Sequence, residues 1–151
     1  MKVVAVSGGF DPVHIGHINL LREAKSLGDK LVVILNNDNW LRFKKGFVFM
    51  PEGERAEILK ATQYVDEVII TEHKENTKDI SICRELEKLK PDIFANGGDR
   101  KPDGDPVPEV ELCERLGIKL VYNVGGGKVQ SSSELAKKAR LSGGQASDAQ
   151  K

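Results

Sequence analysis

Five short runs of apolar, largely β-branched residues alternate along the chain with segments of helical periodicity. The runs are KVVAVS, KLVVILNN, VDEVII, PDIFANG and KLVYNV, which begin at residues 2, 30, 65, 91 and 119. Such runs are typical of strands that are buried on both faces, and their alternation with helices is typical of a parallel sheet. The pattern predicts an α/β fold: a Rossmann-like, doubly wound, five-stranded parallel sheet in the order 3-2-1-4-5 with helices on both faces.

The segments between and after these runs predict five helices and one domain. Apolar residues recur at helical spacing over 18–27, 52–62, 82–89 and 107–116, and a last helix is expected from the SSSEL segment to about residue 141. The small and polar residues that follow lack the apolar side chains that a core requires. We therefore expect one domain over 1–141 and a disordered tail over 142–151.

The composition of the chain limits the classes of molecule that the protein is expected to bind. The chain has 151 residues with 23 basic and 23 acidic side chains, so no overall positive charge indicates a nucleic acid or a membrane surface. The first apolar run is too short for a signal peptide, and no stretch is long enough to span a bilayer. These features predict a cytoplasmic protein that binds neither nucleic acid nor membrane.

The most informative segment, SGGFDPVHIGH, follows the first predicted strand. Ser7, Gly8 and Gly9 would let the backbone approach a ligand closely, and a helix is expected to begin near Gly16. Its first amide groups and the positive end of its dipole favour an anion. His14 and His17 are three residues apart, so both rings can reach one point there. Because ligands bind where the strand order of such a sheet reverses, this segment predicts a phosphate site.

Two other interpretations of this segment are less favoured. A histidine pair at this spacing can bind zinc, but zinc needs a further ligand, and the only other histidine, His73, follows a distant strand. A dinucleotide site requires the pattern G-x-G-x-x-G, which is not present after the first strand.

A basic segment follows the second predicted strand. Arg42, Lys44 and Lys45 lie in what we expect to be a flexible loop, and Arg55 lies on the next helix. A loop at the carboxyl end of this strand can fold over the crevice and bring positive charge to phosphates.

The segment GGGKVQSSSEL precedes the last predicted helix. It is not a P-loop, because valine follows Lys128 where Ser or Thr is required. Ser131 and Glu134 form a capping-box pattern, and Ser131, Ser132 and Ser133 place hydroxyl and amide groups at a second helix N-terminus. This arrangement also suits phosphate oxygens.

The segment NGGDR follows the fourth predicted strand. Gly97 allows close approach of the backbone, Asp99 could bind a ribose or a base, and Arg100 could contact a phosphate. An ordinary glycine turn followed by a charged loop is equally compatible with Arg100.

These segments, in this order, resemble the nucleotidyltransferase superfamily of the cytidylyltransferase type. The resemblance covers nearly all of 1–141 and is most specific at HIGH, residues 14–17. Within the superfamily the chain is similar to the glycerol-3-phosphate cytidylyltransferases and to the heptose-1-phosphate adenylyltransferase domains of lipopolysaccharide core biosynthesis. Class I aminoacyl-tRNA synthetases share HIGH, but this chain has no KMSKS.

The resemblance implies a role for each matching residue. His14 and His17 would stabilise the α-phosphate during transfer, and Lys44 or Lys45 would hold a phosphate. The nucleotide would contact Ser7, Gly8, Gly9, Phe10, Gly16, Gly97, Asp99, Ser131, Ser132 and Ser133. The acceptor side would involve Asp38, Arg55 and Arg100.

The resemblance also implies the reaction. A nucleotidyl group would pass from CTP or ATP to a phosphorylated sugar or polyol, with release of pyrophosphate. Mg²⁺ would arrive with the triphosphate without a firm protein ligand, although Asp11 is near enough to be considered. The alternatives are an adenylyltransferase acting on a cofactor precursor, of the FMN or phosphopantetheine type, and a nucleotide-binding regulator without turnover. A homodimer is expected on resemblance alone.

Overall fold

The computed structural model describes residues 1–97, 107–126, 132 and 134–140. The strands are β1 (Val3–Gly8), β2 (Lys30–Leu35), β3 (Glu67–Ile70), β4 (Ile93–Gly97) and β5 (Lys119–Val124). The helices are α1 (Ile15–Ser26), α2 (Asp38–Lys45), α3 (Glu52–Lys60), α4 (Cys83–Leu89) and α5 (Val107–Leu116), and residues 134–140 are also helical.

The five strands form one parallel sheet in the order β3-β2-β1-β4-β5. This order confirms the predicted topology, in which the chain crosses to the other side of β1 after β3. The carboxyl ends of β1 and β4 flank the point where the order reverses, and a ligand crevice is expected there.

Helices cover both faces of the sheet, as the sequence predicts. On one face Leu21 of α1 and Leu59 of α3 pack over Val6 and Val33. The second cluster contains side chains of α4 and α5 together with strand residues such as Ile34 and Phe94. Neighbouring strand residues face opposite clusters, which explains why the strands carry uninterrupted apolar runs.

Helix α2 corrects the prediction of a flexible loop after β2. Asn37 caps the helix by accepting a hydrogen bond from the Trp40 amide at 2.9 Å, and Gly46 ends it with a positive φ of 84°. Only Leu41 is buried in this helix. Asn37 and Gly46 are local signals of a helix that the sequence carries at the two ends of this segment.

The predicted domain boundary at 141 and the tail over 142–151 lie outside the described residues, as does the expected start of the last helix at Ser131.

The turn after β5 places α1 against the sheet edge and gives a testable prediction. Gly125 and Gly126 both have positive φ, at 88° and 79°. A Cβ at Gly125 would lie 2.8 Å from the Leu20 backbone, whereas a Cβ at Gly126 would meet nothing within 4 Å.

Gly125→Ala should therefore destabilise the protein more than Gly126→Ala does. Both changes cost about 1 kcal/mol of backbone strain, and the first adds about 1–3 kcal/mol for the forced contact. Denaturant unfolding of the two variants measures the difference. Equal losses would contradict the close packing of this turn on α1.

Candidate active site

Helix α1 begins with two histidines that cap each other. His14 is the N-cap, and its Nδ1 accepts a hydrogen bond from the Gly16 amide at 3.0 Å. His17 returns the interaction, since its Nδ1 accepts from the His14 amide at 3.2 Å. The rings are stacked, with centroids 3.8 Å apart and planes inclined at 22°. Imidazoles thus occupy the places that Ser or Thr and Glu or Gln take in the usual capping box.

This pairing fixes the proton of each neutral ring. A nitrogen that accepts a hydrogen bond cannot carry the proton of a neutral imidazole, so the proton lies on Nε2. Burial, followed by the proximity of His14 and of Lys45, lowers the pKa of His17 to about 3. His17 is therefore neutral near pH 7 and can act as a hydrogen-bond donor through Nε2–H.

Phe10 supports the ring of His17 from the side. Its centroid lies 4.6 Å from that of His17, and the side chain is only 2% exposed. The residue has a positive φ of 49°, and a Cβ on Gly8 would lie 3.2 Å from the Phe10 ring. These contacts bury the Phe10 ring against the histidine, and its expected contact with the nucleotide stays a prediction.

Asp11 holds the loop that follows α2. Its two oxygens accept hydrogen bonds from the Phe49 and Met50 amides at 2.7 and 2.6 Å, and the side chain is buried. These two hydrogen bonds connect the turn after β1 to the loop after α2, and a contact of Asp11 with Mg²⁺ stays a prediction. In the described part of the chain, no group of three or more His, Cys, Asp or Glu residues could hold a metal ion.

The two candidate lysines differ in their surroundings. Lys44 is exposed, whereas Lys45 is half-buried and close enough to His17, Asp11 and Arg55 to interact with their charges. Burial lowers the pKa of Lys45, the carboxylate of Asp11 opposes this effect, and Arg55 adds to it. Of the pair, Lys45 is therefore the lysine that lies beside the histidines.

Arg55 is fully buried and braces this end of the sheet. Its Nη1 donates to the carbonyls of Gly9 and Asn36, both at 2.7 Å, and its Nε donates to the Met50 carbonyl at 2.8 Å. Its Nη2 pairs with Asp38 Oδ1 at 2.7 Å. The guanidinium has no exposed surface, and it positions the ends of β1 and β2, while the expected role of Arg55 on the acceptor side stays a prediction.

Ser132 joins the C-terminal helical segment to the turn before the histidines. It is buried, and its hydroxyl donates to the Pro12 carbonyl at 2.8 Å. The hydroxyl proton therefore makes a hydrogen bond within the protein. Ser132 thus connects two segments that the sequence predicts to bind phosphate.

The remaining sequence candidates are distributed as follows. Ser7 precedes Gly8, the last residue of β1. Gly16 donates its amide to the His14 ring, and Gly97 ends β4. Asp99, Arg100, Ser131 and Ser133 lie outside the described residues.

Sequence reasoning missed Asn36, which follows β2 directly. It is buried, and its side-chain oxygen has no hydrogen-bond partner. The available signal was the polar pair Asn36–Asn37 at the end of an otherwise apolar strand.

No helix among the described residues has both the length and the apolar character needed to cross a membrane.

The doubly wound sheet and the histidine pair at its switch point are the fold and the motif on which the resemblance to nucleotidyltransferases rests. Residues 5–114 match the family model described as cytidylyltransferase-like. The chain belongs to this family and is a cytidylyltransferase-like nucleotidyltransferase, which confirms the resemblance inferred from its motifs. Membership of the family implies a nucleoside triphosphate and an acceptor as substrates.

Relatives in this family carry different names. The chain is 43% identical over 118 residues to "FAD synthase" of Pyrococcus abyssi, covering 78% of this chain and 75% of the relative. It is 42% identical over 129 residues to "Bifunctional protein HldE" of Geobacter metallireducens, covering 83% of this chain but 25% of that longer protein. A lipopolysaccharide core biosynthesis protein from Thermoplasma volcanium superposes with a TM-score of 0.66 at 30% identity, covering 81% of this chain and 95% of the other.

Proposed function

We propose that this protein transfers a nucleotidyl group from CTP or ATP to the phosphate of a small hydroxylated acceptor and releases pyrophosphate. The observation that carries the proposal is the reciprocally capped histidine pair beside the strand-order reversal. The acceptor is a phosphorylated sugar or polyol of the heptose-1-phosphate or glycerol-3-phosphate type. The similarity to HldE and to the Thermoplasma protein supports this choice.

FMN is the second candidate acceptor, and a specific observation favours it. Relatives named FAD synthase share 40–43% of residues with this chain over most of its length. FMN is also a phosphomonoester on a hydroxylated chain, so the same chemistry applies to either acceptor.

The reaction needs alignment and charge stabilisation more than acid–base catalysis. An oxygen of the acceptor phosphate, already an anion, attacks the α-phosphorus in line with the bond to the bridging oxygen. The new phosphorus–oxygen bond forms as the bridging bond breaks, and pyrophosphate leaves with the bonding electron pair. No covalent enzyme intermediate is required.

The histidines act as neutral donors in this proposal. The Nε2–H groups of His14 and His17 donate to the α-phosphate oxygens, on which negative charge increases at the transition state. Lys45 supplies the positive charge beside them, and Mg²⁺ accompanies the triphosphate. Since the rings are fixed by backbone amides, they need little rearrangement as the transition state forms.

The test is pyrophosphate release with each of four nucleoside triphosphates and three acceptors: heptose 1-phosphate, glycerol 3-phosphate and FMN. We expect turnover with CTP or ATP and at least one acceptor. His17→Ala should retain the fold and lose about a hundred- to a thousandfold in turnover. A variant with near wild-type turnover would refute the role of His17, and a protein inactive with every combination would refute the acceptor class.

The two lysines provide a matched pair of variants. Lys45→Ala should lower turnover by about tenfold or more, because it removes the cation that lies beside His17. Lys44→Ala, which removes the same charge from an exposed neighbouring position, should stay within about twofold of wild type. Steady-state kinetics of both variants measures this difference, and equal effects would contradict the assignment of Lys45.

A further inference from the structure

Asn36 carries a buried polar atom that the fold does not satisfy. The residue is 3% exposed, and Oδ1 has no hydrogen-bond partner. It is the one side-chain atom of this kind within residues 1–97, 107–126, 132 and 134–140. A buried acceptor without a donor lowers stability, so such an atom calls for an explanation.

The backbone of Asn36 is firmly held at the edge of the crevice. Its amide donates to the Gly8 carbonyl at 2.9 Å and so continues the ladder between β2 and β1. Its carbonyl accepts from Arg55, whose same nitrogen also binds the Gly9 carbonyl. Asn36 thus lies directly beside the glycine turn that leads to the histidine pair.

Strand alternation places the side chain on a defined face of the sheet. Leu35 belongs to the cluster under α1 and α3, whereas Ile34 belongs to the cluster under α4 and α5. Because side chains alternate, Asn36 stands on the face of Ile34, beyond the end of the apolar cluster. Ser7 lies opposite Ile34 in register and shares that face, so the apolar layer ends in polar side chains at the crevice.

The side chains of the neighbouring asparagines are hydrogen-bonded within the fold, whereas the side-chain oxygen of Asn36 is not. The Asn37 and Asn39 amide groups both donate to the His73 carbonyl at 2.9 Å. Their oxygens accept from the Trp40 amide and from Arg42. The side-chain oxygen of Asn36 makes no hydrogen bond. Rotation of the carboxamide therefore breaks no hydrogen bond to that oxygen.

The chemistry of the unpaired Oδ1 atom of Asn36 limits which ligand group can bind to it. A carboxamide oxygen needs a donor, and phosphate oxygens near neutral pH are acceptors, so the polyphosphate is not its partner. Among the candidate nucleotide residues, Gly97 ends β4, which lies on the other side of β1 from Asn36. A hydroxyl of the second substrate fits both the chemistry and the position.

We propose that Asn36 Oδ1 accepts a hydrogen bond from a hydroxyl group of the phosphorylated acceptor and so selects hydroxylated acceptors. The inference rests on the proposed function and applies to either acceptor type, because sugars, polyols and the side chain of FMN all carry hydroxyls near their phosphate. Asn36 is then a specificity residue on the β2 side of the transfer site.

Asn36→Leu tests this role, because leucine keeps a similar volume and removes the acceptor atom. The KM for the acceptor should rise about tenfold or more, while the KM for the nucleotide stays unchanged. Unfolding should occur at the wild-type temperature or above it, because the variant loses only an unsatisfied polar group. An acceptor analogue that lacks the recognised hydroxyl should be used equally well by the variant and by wild type.

Asn39→Leu is the matched control from the same segment. It should lower the unfolding temperature, because its hydrogen bonds to His73 and Arg42 are lost, and leave the KM for the acceptor unchanged. The probes are glycerol 3-phosphate, heptose 1-phosphate and FMN, each tested with the nucleotide that wild type uses.

The outcomes separate the two proposals. If wild type turns over one of these acceptors and Asn36→Leu keeps its KM, the Asn36 proposal is wrong and the proposed function stands. A rise in the KM for the nucleotide instead would overturn the assignment of Asn36 to the acceptor. If wild type turns over none of them, the proposed function fails, and the role of Asn36 fails with it.

Discussion

The hydrogen bonds that the rings of His14 and His17 accept from backbone amides at the first turn of α1 connect the fold to its chemistry. They end the turn after β1, start the helix and fix the protonated nitrogen of both neutral rings. A serine and a glutamate could start a helix equally well. They would not present paired imidazole donors to an anion. The same two side chains cap the helix through Nδ1 and, in the proposed function, donate through Nε2.

The second constraint is the buried guanidinium of Arg55. It contacts the carbonyls at the ends of β1 and β2, the loop after α2 and the carboxylate of Asp38. A buried charge is costly unless it is paired and hydrogen-bonded, and here each nitrogen of the group has a partner. Through Gly9 and Asn36, this single side chain sets the distance between the turn that leads to the histidines and the end of β2.

The sequence predicted the sheet well because strand alternation and connection rules restrict its topology. The five strands, their order and the histidine pair at the switch point all follow from local patterns and general rules. Helix α2 was missed although Asn37 and Gly46 supply caps at its two ends. The directions of Phe10 and Arg55 could not be predicted either. Whether a side chain faces a ligand or the protein depends on packing between segments that are far apart in sequence.

The distribution of roles explains how relatives with different names can share one scaffold. In the proposed function the phosphate chemistry depends on the histidine pair of α1 and on Lys45 at the end of α2, whereas the end of β2 faces the region we assign to the acceptor. Four consecutive polar residues, 36–39, follow β2 in this chain. Three of them make hydrogen bonds that cap α2, pair with Arg55 or hold the loop after β3. A change at Asn36 can therefore alter the choice of acceptor without disturbing the histidine pair.

The most direct test of the central claim is ¹⁵N NMR of the imidazole rings in the protein labelled at histidine. At pH 7 we predict that Nδ1 of His14 and of His17 is unprotonated and that Nε2 carries the proton, with His17 remaining neutral when the pH is lowered to about 5. A proton on Nδ1 of either neutral ring, or an imidazolium at His17 near pH 7, would contradict the account.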